Sequence, residues 1–370
     1  MRFVITGGGT GGHVYPALAV VEVLAREEQD KGMSRSELLY VGMAQGIEAG
    51  LATRTGLPFA AVRAGAIRGG SPIRIVAGAA KLLLGIVRAW QVLRRFRPKA
   101  VLSTGGYVSV PVGLAAWLLR VPLVVYLPDV APGWAVRLLA RFARRVAVTS
   151  EASRAYLPPA KVVVTGYPVR AVFGSASKEE AQRKMGLDPV LPTLLLWGGS
   201  RGARSLNRAL GVVLAEVLDL CQVLHVCGTE DEAEFQARRE ALPAELRERY
   251  HVHAYLYDDL PLAMVAADLA VSRAGASIMG EFPVAGLPSI LVPYPYAGGH
   301  QWLNAKALVD GGAAEIIEDA DLEARLLPAV RDLICDQERL AGMAAACRRL
   351  ARPDAAREIA RLLLQAGASR

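Results

Sequence analysis

Short runs of Val, Ile and Leu recur along the chain without polar interruption, and helix-period stretches separate them. In the first half Phe3 to Thr6, Leu38 to Val41, Ala100 to Ser103, Leu123 to Tyr126, Val146 to Val148 and Val162 to Val164 read as strands. Pro16 to Arg26, Ile47 to Thr55 and Val112 to Leu119 read as helices between them. A strand that is apolar at every position is buried on both faces, as in a parallel sheet with helices on either side. The second half repeats the scheme, with strands at Thr193 to Trp197, Val223 to Cys227, Leu269 to Val271 and Ser289 to Val292. The pattern predicts an α/β chain of two Rossmann-like domains, with parallel sheets facing a central cleft. The domain change is expected near Gly166-Tyr167-Pro168, giving 1–167 and 168–349, with a polar loop and helix at 174–190. The last helical stretch, about 355–366 within residues 350–370, is assigned to the first domain from the fold class rather than from its own pattern.

Length agrees, because 370 residues exceed one ordinary core. The chain is 53% hydrophobic and 21% charged, and its five Trp and seven Phe suffice for sizeable cores, so it is globular rather than low-complexity. Cys221, Cys227, Cys335 and Cys347 form no C-x-x-C pair and have no His at zinc-ligand spacing, so they read as buried free thiols of a reducing compartment. Gly7 to His13 interrupts the first apolar run, which excludes a secretory signal reading. Ala100 to Leu127 is apolar, but Arg120, Gly105, Gly106, Pro111 and Pro122 break it into strand, helix and strand.

Charge divides the halves. Residues 1–170 hold 22 basic and 8 acidic side chains, a net of +14; the other 200 hold 21 and 27, a net of −6. Between Glu48 and Asp129 there are 11 basic residues and no acid, so the first half is suited to an anionic partner. Within it, residues 73–96 predict a helix on which Arg74, Lys81, Arg88 and Arg95 recur every seven residues, among Leu, Ile, Val and Trp90. One reading is a core helix with a solvated edge. The other is an interfacial helix resting on anionic lipid.

Two glycine-rich turns lie about 190 residues apart, Gly7 to His13 and Gly198 to Gly202, each between a strand and a helix. Glycine lets backbone N–H groups approach an anion, and the helix dipole favours negative charge there. Gly7-x-Gly9-x-x-Gly12 matches the dinucleotide fingerprint, but the second strand ends Tyr40-Val41-Gly42-Met43 without the acid that would hold a ribose, so a nicotinamide nucleotide is set aside. No P-loop sequence occurs. His13 opens the first helix, where it either helps start the helix or serves as a base kept neutral by the dipole. Ser272 to Glu281 forms a third phosphate-type turn, with Glu281 placed to accept from a ribose diol. His300-Gln301 with Asn304 offers donors suited to sugar hydroxyls. His251 and His253 share one face of a strand without a third metal ligand, and Asp258-Asp259 reads as a helix cap.

Together, Gly8-Gly9-Thr10-Gly11-Gly12-His13, Gly105-Gly106-Tyr107-Val108-Ser109, Pro168-Val169-Arg170, Gly198-Gly199-Ser200-x-Gly202-Ala203, Ser272 to Ser277 with Glu281, and His300-Gln301 with Asn304 resemble the lipid II-forming N-acetylglucosaminyltransferases of glycosyltransferase family 28. The resemblance spans residues 8 to 304 in order and implies a GT-B fold and an inverting hexosyltransferase with no cofactor and no obligatory metal. It implies a donor site for UDP-N-acetylglucosamine at Thr10, Gly11, Gly12, Asp129, Arg170, Ser200, Tyr257 (through its backbone), Ala276, Ser277, Ile278, Met279, Gly280, Glu281, His300, Gln301 and Asn304. Lipid-linked muramoyl-pentapeptide diphosphate would meet Gly9, Thr10, Gly105, Gly106, Tyr107 and Ser109 in the first domain. Arg74, Lys81, Arg88, Trp90 and Arg95 would meet an anionic membrane surface on the cytoplasmic side. The resemblance points to cell-wall synthesis or division proteins as protein partners and to no nucleic acid. One segment departs: where the family has His-Glu-Gln-Asn, this chain has Tyr126-Leu127-Pro128-Asp129, which leaves His13 and Asp129 as the candidate bases. A transferase using another lipid acceptor such as diacylglycerol, and a non-catalytic sugar-nucleotide-binding scaffold, are the alternatives.

Overall fold

The computed structural model describes residues 1–30, 36–64, 72–174, 176–199 and 202–368. The chain divides into two compact units, residues 1–169 with 353–370, and residues 170–352. The fold class is the expected α/β, GT-B class, with a Rossmann-like parallel sheet in each unit.

The N-terminal unit carries seven parallel strands: β1 (Arg2–Thr6), β2 (Glu37–Gly42), β3 (Phe59–Ala61), β4 (Ala100–Ser103), β5 (Leu123–Leu127), β6 (Arg145–Val148) and β7 (Val162–Val164), in the order 3-2-1-4-5-6-7. The C-terminal unit carries six: β8 (Thr193–Trp197), β9 (Gln222–Val226), β10 (Tyr250–His253), β11 (Leu269–Ser272), β12 (Ser289–Leu291) and β13 (Ala314–Ile316), in the order 10-9-8-11-12-13. Both orders reverse direction once, between β1 and β4 and between β8 and β11. At such a switch point neighbouring connections leave on opposite faces, which opens a crevice at the carboxyl ends of the strands. Ile5 pairs with Leu102 and Thr6 with Ser103, while Val271 pairs with Leu196 and Ser272 with Trp197, so both glycine turns emerge at these points.

Helices cover the first sheet: α1 (Gly11–Asp30), α2 (Ile47–Arg54), α3 (Pro72–Phe96), α4 (Ser109–Leu118) and α5 (Trp134–Phe142). Val4, Val101, Leu123, Val125 and Leu127 form one core with Ala89 and Leu93 of α3, Val112 and Ala116 of α4 and Leu139 of α5. The final helix, Ala355–Ala368, packs on α1, β4 and β5 of this unit. In the C-terminal unit Leu194, Leu196, Val223 and Val271 pack against Leu206 and Leu210 of the helix Arg204–Val212 and Val330 and Leu333 of the helix Leu322–Cys335.

The sequence places the start of α1 at Pro16, a residue favoured in a first helical turn. The helix begins five residues earlier, at Gly11, with Pro16 inside it. Thr10 supplies the carbonyl that receives the N–H groups of His13 and Val14, so His13 lies in the first turn. Edge strands β3 and β13 have three residues each and lack the continuous run of Val, Ile and Leu that marks the central strands. Asp259 precedes the helix Leu260–Ala266 but makes no side-chain cap bond, contrary to the capping expectation.

A buried polar chain crosses the C-terminal unit. His225 Nδ1 lies 2.7 Å from the Tyr250 hydroxyl and Nε2 lies 3.0 Å from Asn207 Oδ1, while Asn207 Nδ2 donates to Asp231 at 2.7 Å. Burial lowers the His225 pKa from 6.5 to about 3. Below the unfolded pKa the unfolded chain takes up a proton that the folded chain refuses, so stability falls with pH through that window, by roughly a few kcal/mol. The urea midpoint of the C-terminal unit is expected to drop from pH 7 to pH 4. His225→Gln should lower the midpoint at pH 7 but flatten this dependence, and an unchanged slope would remove His225 from the account.

Candidate functional site

In the N-terminal unit the turn after β1 is fixed residue by residue. The Tyr40 hydroxyl donates to the Gly7 carbonyl at 2.8 Å, Gly8 N–H donates to the Gly105 carbonyl at 3.3 Å, and Gly9 N–H donates to Glu48 Oε2 at 3.3 Å. From the other side Thr104 donates its N–H to Thr6 (2.9 Å) and its hydroxyl to the His13 carbonyl (2.6 Å). A Cβ on Gly7 would lie 1.9 Å from Thr104 Oγ1, and one on Gly106 (φ +83) would lie 2.2 Å from the Gly8 carbonyl oxygen. The two loops touch backbone to backbone, and only glycine fits at these two contacts.

His13 Nδ1 lies 2.8 Å from the Thr104 carbonyl oxygen. A carbonyl can only accept, so Nδ1 carries the proton and Nε2 keeps its lone pair. Burial lowers the His13 pKa; the Asp129 carboxylate and the Thr104 hydrogen bond act in the opposite direction. A neutral imidazole with a fixed tautomer and an available Nε2 is the ground state of a general base. Asp129, half-buried after β5, is electrostatically linked to it.

Other expected residues have different placements. Thr10 is exposed, and Gly11 and Gly12 are half-exposed at the start of α1. Ser109 is fully buried and its hydroxyl donates to the Gly106 carbonyl at 2.7 Å, so it supports the loop rather than presenting a hydroxyl at the surface. Tyr107 stands beside Trp134, with ring centroids 6.0 Å apart. Trp134 is 41% exposed and was missed; the turn Pro132-Gly133 before it is the signal that could have found it. Tyr126 is buried with its hydroxyl 2.7 Å from Thr149 Oγ1, and Leu127 is buried in the core. Of that departing segment only Asp129 offers the surface a polar side chain.

In the C-terminal unit β11 leads through Arg273 to Ser277 into the helix Ile278–Ala285. Ala276 and Ser277 are half-exposed, whereas Ile278, Met279 and Gly280 are buried and their N–H groups donate to the carbonyls of Gly275, Ala276 and Ser277. Glu281 Oε2 is buried with no hydrogen-bond partner among the described residues. Burial raises its pKa; the Ser277 hydrogen bond and the Arg170 charge lower it. His300 Nδ1 is likewise buried without a partner among the described residues. Gln301 Oε1 accepts from Tyr294 N–H at 2.8 Å, which turns its amide group to donor use. Asn304 is fully buried and donates to the Ala274 carbonyl at 3.2 Å, so it braces the turn rather than reaching a sugar. Arg273 braces it too, through Asp319 at 2.6 Å. Arg170 Nη1 donates to the Tyr257 carbonyl at 3.0 Å, and the Tyr257 ring is exposed against Tyr255. Ser200 lies outside the described residues.

Helix α3 combines both sequence readings. Ala89 and Leu93 enter the core, while Leu83, Leu84 and Val87 are 64%, 57% and 54% exposed among exposed Lys81, Arg88 and Arg95. Trp90 corrects the expectation of a lipid-facing ring: it is half-buried against the core with Arg94 over it at 4.9 Å. Arg74 lies in α3, with its side chain outside the described residues. No helix among the described residues is long and apolar enough to cross a membrane, and none of them form a group of three or more metal-ligating side chains.

Two doubly wound units with glycine turns at their switch points are the parts of the GT-B fold, and the poised imidazole of the first is suited to a group-transfer enzyme. The family models of the glycosyltransferase family 28 N-terminal and C-terminal domains match residues 3–148 and 193–359. The chain belongs to glycosyltransferase family 28. It is 44% identical to the UDP-N-acetylglucosamine–N-acetylmuramyl-(pentapeptide) pyrophosphoryl-undecaprenol N-acetylglucosamine transferase of Roseiflexus sp. (strain RS-1), over 98% of this chain and 94% of that protein. It is 41% identical to the transferase of the same name from Moorella thermoacetica, over 99% of each. The crystal structure of Acinetobacter baumannii MurG superposes with a TM-score of 0.76 at 28% identity, covering 98% of this chain and 99% of that one. CalG4, the calicheamicin glycosyltransferase, shares the fold at a TM-score of 0.70 and 15% identity, with 100% and 98% covered.

Asp129→Asn removes the charge that raises the His13 pKa. Because the base works as the neutral imidazole, the acid limb of kcat/KM should move to lower pH in this variant. An unmoved limb would show that Asp129 does not act on His13.

Proposed function

We propose that this chain transfers N-acetylglucosamine from UDP-N-acetylglucosamine to the 4-hydroxyl of undecaprenyl-diphospho-N-acetylmuramoyl-pentapeptide, converting lipid I to lipid II in peptidoglycan synthesis. The activity named for relatives 41–44% identical over nearly the whole chain supports the substrates. The observation that carries the chemistry is His13, held by Thr104 with Nε2 available. Nε2 takes the proton of the acceptor hydroxyl as the oxygen bonds to the anomeric carbon. The bond from that carbon to the diphosphate breaks, UDP leaves with the electron pair, and the configuration inverts. The Ala276–Ser277 turn and the dipole of the helix Ile278–Ala285 that follows it, with Arg170, stabilise the charge that grows on the departing UDP.

The C-terminal unit is assigned the donor. The orphaned Glu281 Oε2 suits a ribose hydroxyl and the Gln301 amide suits the sugar. A uracil that uses the Tyr257 carbonyl takes the place of Arg170, whose guanidinium is then available to the diphosphate. The N-terminal unit is assigned the acceptor, met by Thr10, the Gly105–Tyr107 loop and His13. We assign α3 to the cytoplasmic membrane face, where Leu83, Leu84 and Val87 enter the headgroup boundary and Lys81, Arg88 and Arg95 meet anionic lipid.

Purified protein with labelled UDP-N-acetylglucosamine and a short-chain lipid I is expected to label the muramoyl lipid and not diacylglycerol, with UDP-glucose ineffective. Label in the diacylglycerol lane, or donor binding with no turnover on either lipid, would replace the assignment by the other acceptor or by a scaffold. His13→Ala should reduce turnover by roughly 10²–10⁴-fold while keeping donor binding; near-wild-type turnover would remove His13 as base.

Flotation with anionic liposomes should recover the protein in a salt-sensitive manner. Lys81→Glu with Arg88→Glu should abolish flotation without loss of transfer to a detergent-dispersed acceptor. Flotation that survives both changes would place the contact elsewhere.

A further inference from the structure

Glu48 is fully buried, yet no cation is paired with it among the described residues. Its carboxylate receives two backbone donors from separate segments, Met43 N–H at 3.0 Å on Oε1 and Gly9 N–H at 3.3 Å on Oε2. It stands in the first turn of α2, where the helix dipole favours a negative charge. Three glycines make room for it: a Cβ on Gly8 would lie 2.4 Å from Oε1, one on Gly46 2.3 Å from the carboxyl carbon, and one on Gly42 2.5 Å from Cγ. Beside it the Tyr40 hydroxyl holds the Gly7 carbonyl. The Gly9 amide, the natural phosphate donor of such a turn, is therefore directed into the protein, at an anion the chain itself supplies.

On the functional reading above, we infer that Glu48 is a positioning residue for the transfer: its carboxylate is the internal anion around which the Gly7–Gly9 backbone is moulded, setting Thr10 and His13 for the acceptor before any acceptor binds. A turn of this kind that waits for its ligand's phosphate is ordered by that ligand; this one is ordered in advance. Burial of a charge is costly unless its hydrogen bonds are made, so the carboxylate and the two amides hold one another in a single arrangement. Glutamine has the same shape but cannot do the same work. Its amide accepts on one atom only, and its NH₂ then faces the other backbone N–H, so one of the two contacts becomes donor against donor.

The test is steady-state kinetics of Glu48→Gln, with Glu37→Gln, an exposed acid of β2, as control and Glu48→Asp as a second variant. Misplacing a reacting group by about 1 Å costs about 10²-fold. Glu48→Gln is expected to lower kcat/KM for the lipid acceptor by about 10- to 100-fold through this displacement, with KM for UDP-N-acetylglucosamine within about twofold of wild type. The acid limb of its pH profile should not move, in contrast to Asp129→Asn, because geometry and not ionisation is altered. Glu48→Asp keeps the charge but is one methylene shorter and should not restore the rate. Three results overturn the inference: wild-type acceptor kinetics in Glu48→Gln, equal losses for donor and acceptor, or recovery of the rate in Glu48→Asp. If wild type itself fails to glycosylate the lipid acceptor, the functional reading fails instead, and UDP-N-acetylglucosamine affinity in both proteins separates that case.

Discussion

The Thr104 peptide unit is the point on which the N-terminal site depends. Its N–H continues the β1–β4 pairing for one residue past the strands, its carbonyl fixes the His13 tautomer, and its hydroxyl holds the His13 carbonyl. Three separate requirements meet within one residue: sheet register, base orientation and helix start. Each bond is worth only about 0.5–1.5 kcal/mol net, so the arrangement matters less for stability than for direction. It ties the position of the imidazole to the rigid centre of the sheet, where β1 and β4 are both fully buried apart from Arg2. Gly7 and Gly106 follow from this, since any side chain at either position would push the two loops apart.

The parts legible in the sequence are those with local signals. Continuous apolar runs located the central strands, because burial on both faces forbids polar residues there. Glycine clusters located the turns, and His13 stood out by its position beside one of them. The short edge strands β3 (Phe-Ala-Ala) and β13 (Ala-Glu-Ile) were not legible, because they lack the continuous β-branched run that marks the equally short β7 (Val-Val-Val). The α1 boundary was misplaced because Pro16 is a strong local start signal, whereas the real start is set by Thr10 and the contact with Thr104. Ser109 and Asn304 were read outward because hydroxyls and amides suit sugars. Both turn inward, to Gly106 and Ala274, where backbone carbonyls needed donors. Glu48 and Tyr40 carried no signal at all, since they reach the glycine turn from 39 and 33 residues away along the chain.

The two units use one topology in opposite ways. At the β1–β4 switch point the glycine backbone is paired within the protein: Gly7, Gly8 and Gly9 each have a protein partner, one of them the buried carboxylate of Glu48, while Thr6 Oγ1 and Ser103 Oγ at the strand ends are buried without partners among the described residues. At the β8–β11 switch point and in the loops beside it the C-terminal unit leaves Glu281 Oε2 and His300 Nδ1 buried without partners among its described residues. A buried polar atom without a partner costs about 1–3 kcal/mol, and such a cost is retained where something else relieves it. On the proposed function, a polyhydroxylated ligand that carries a diphosphate relieves both atoms and engages the turn before the helix Ile278–Ala285. The glycine turn of the first unit is thus preorganised by internal bonds, whereas a carboxylate oxygen and an imidazole nitrogen of the second are left unpaired by the protein. The difference fits the two substrates proposed for them. A hydroxyl to be deprotonated needs a base in one fixed place, whereas a sugar nucleotide brings enough donors and charge to complete the site that receives it.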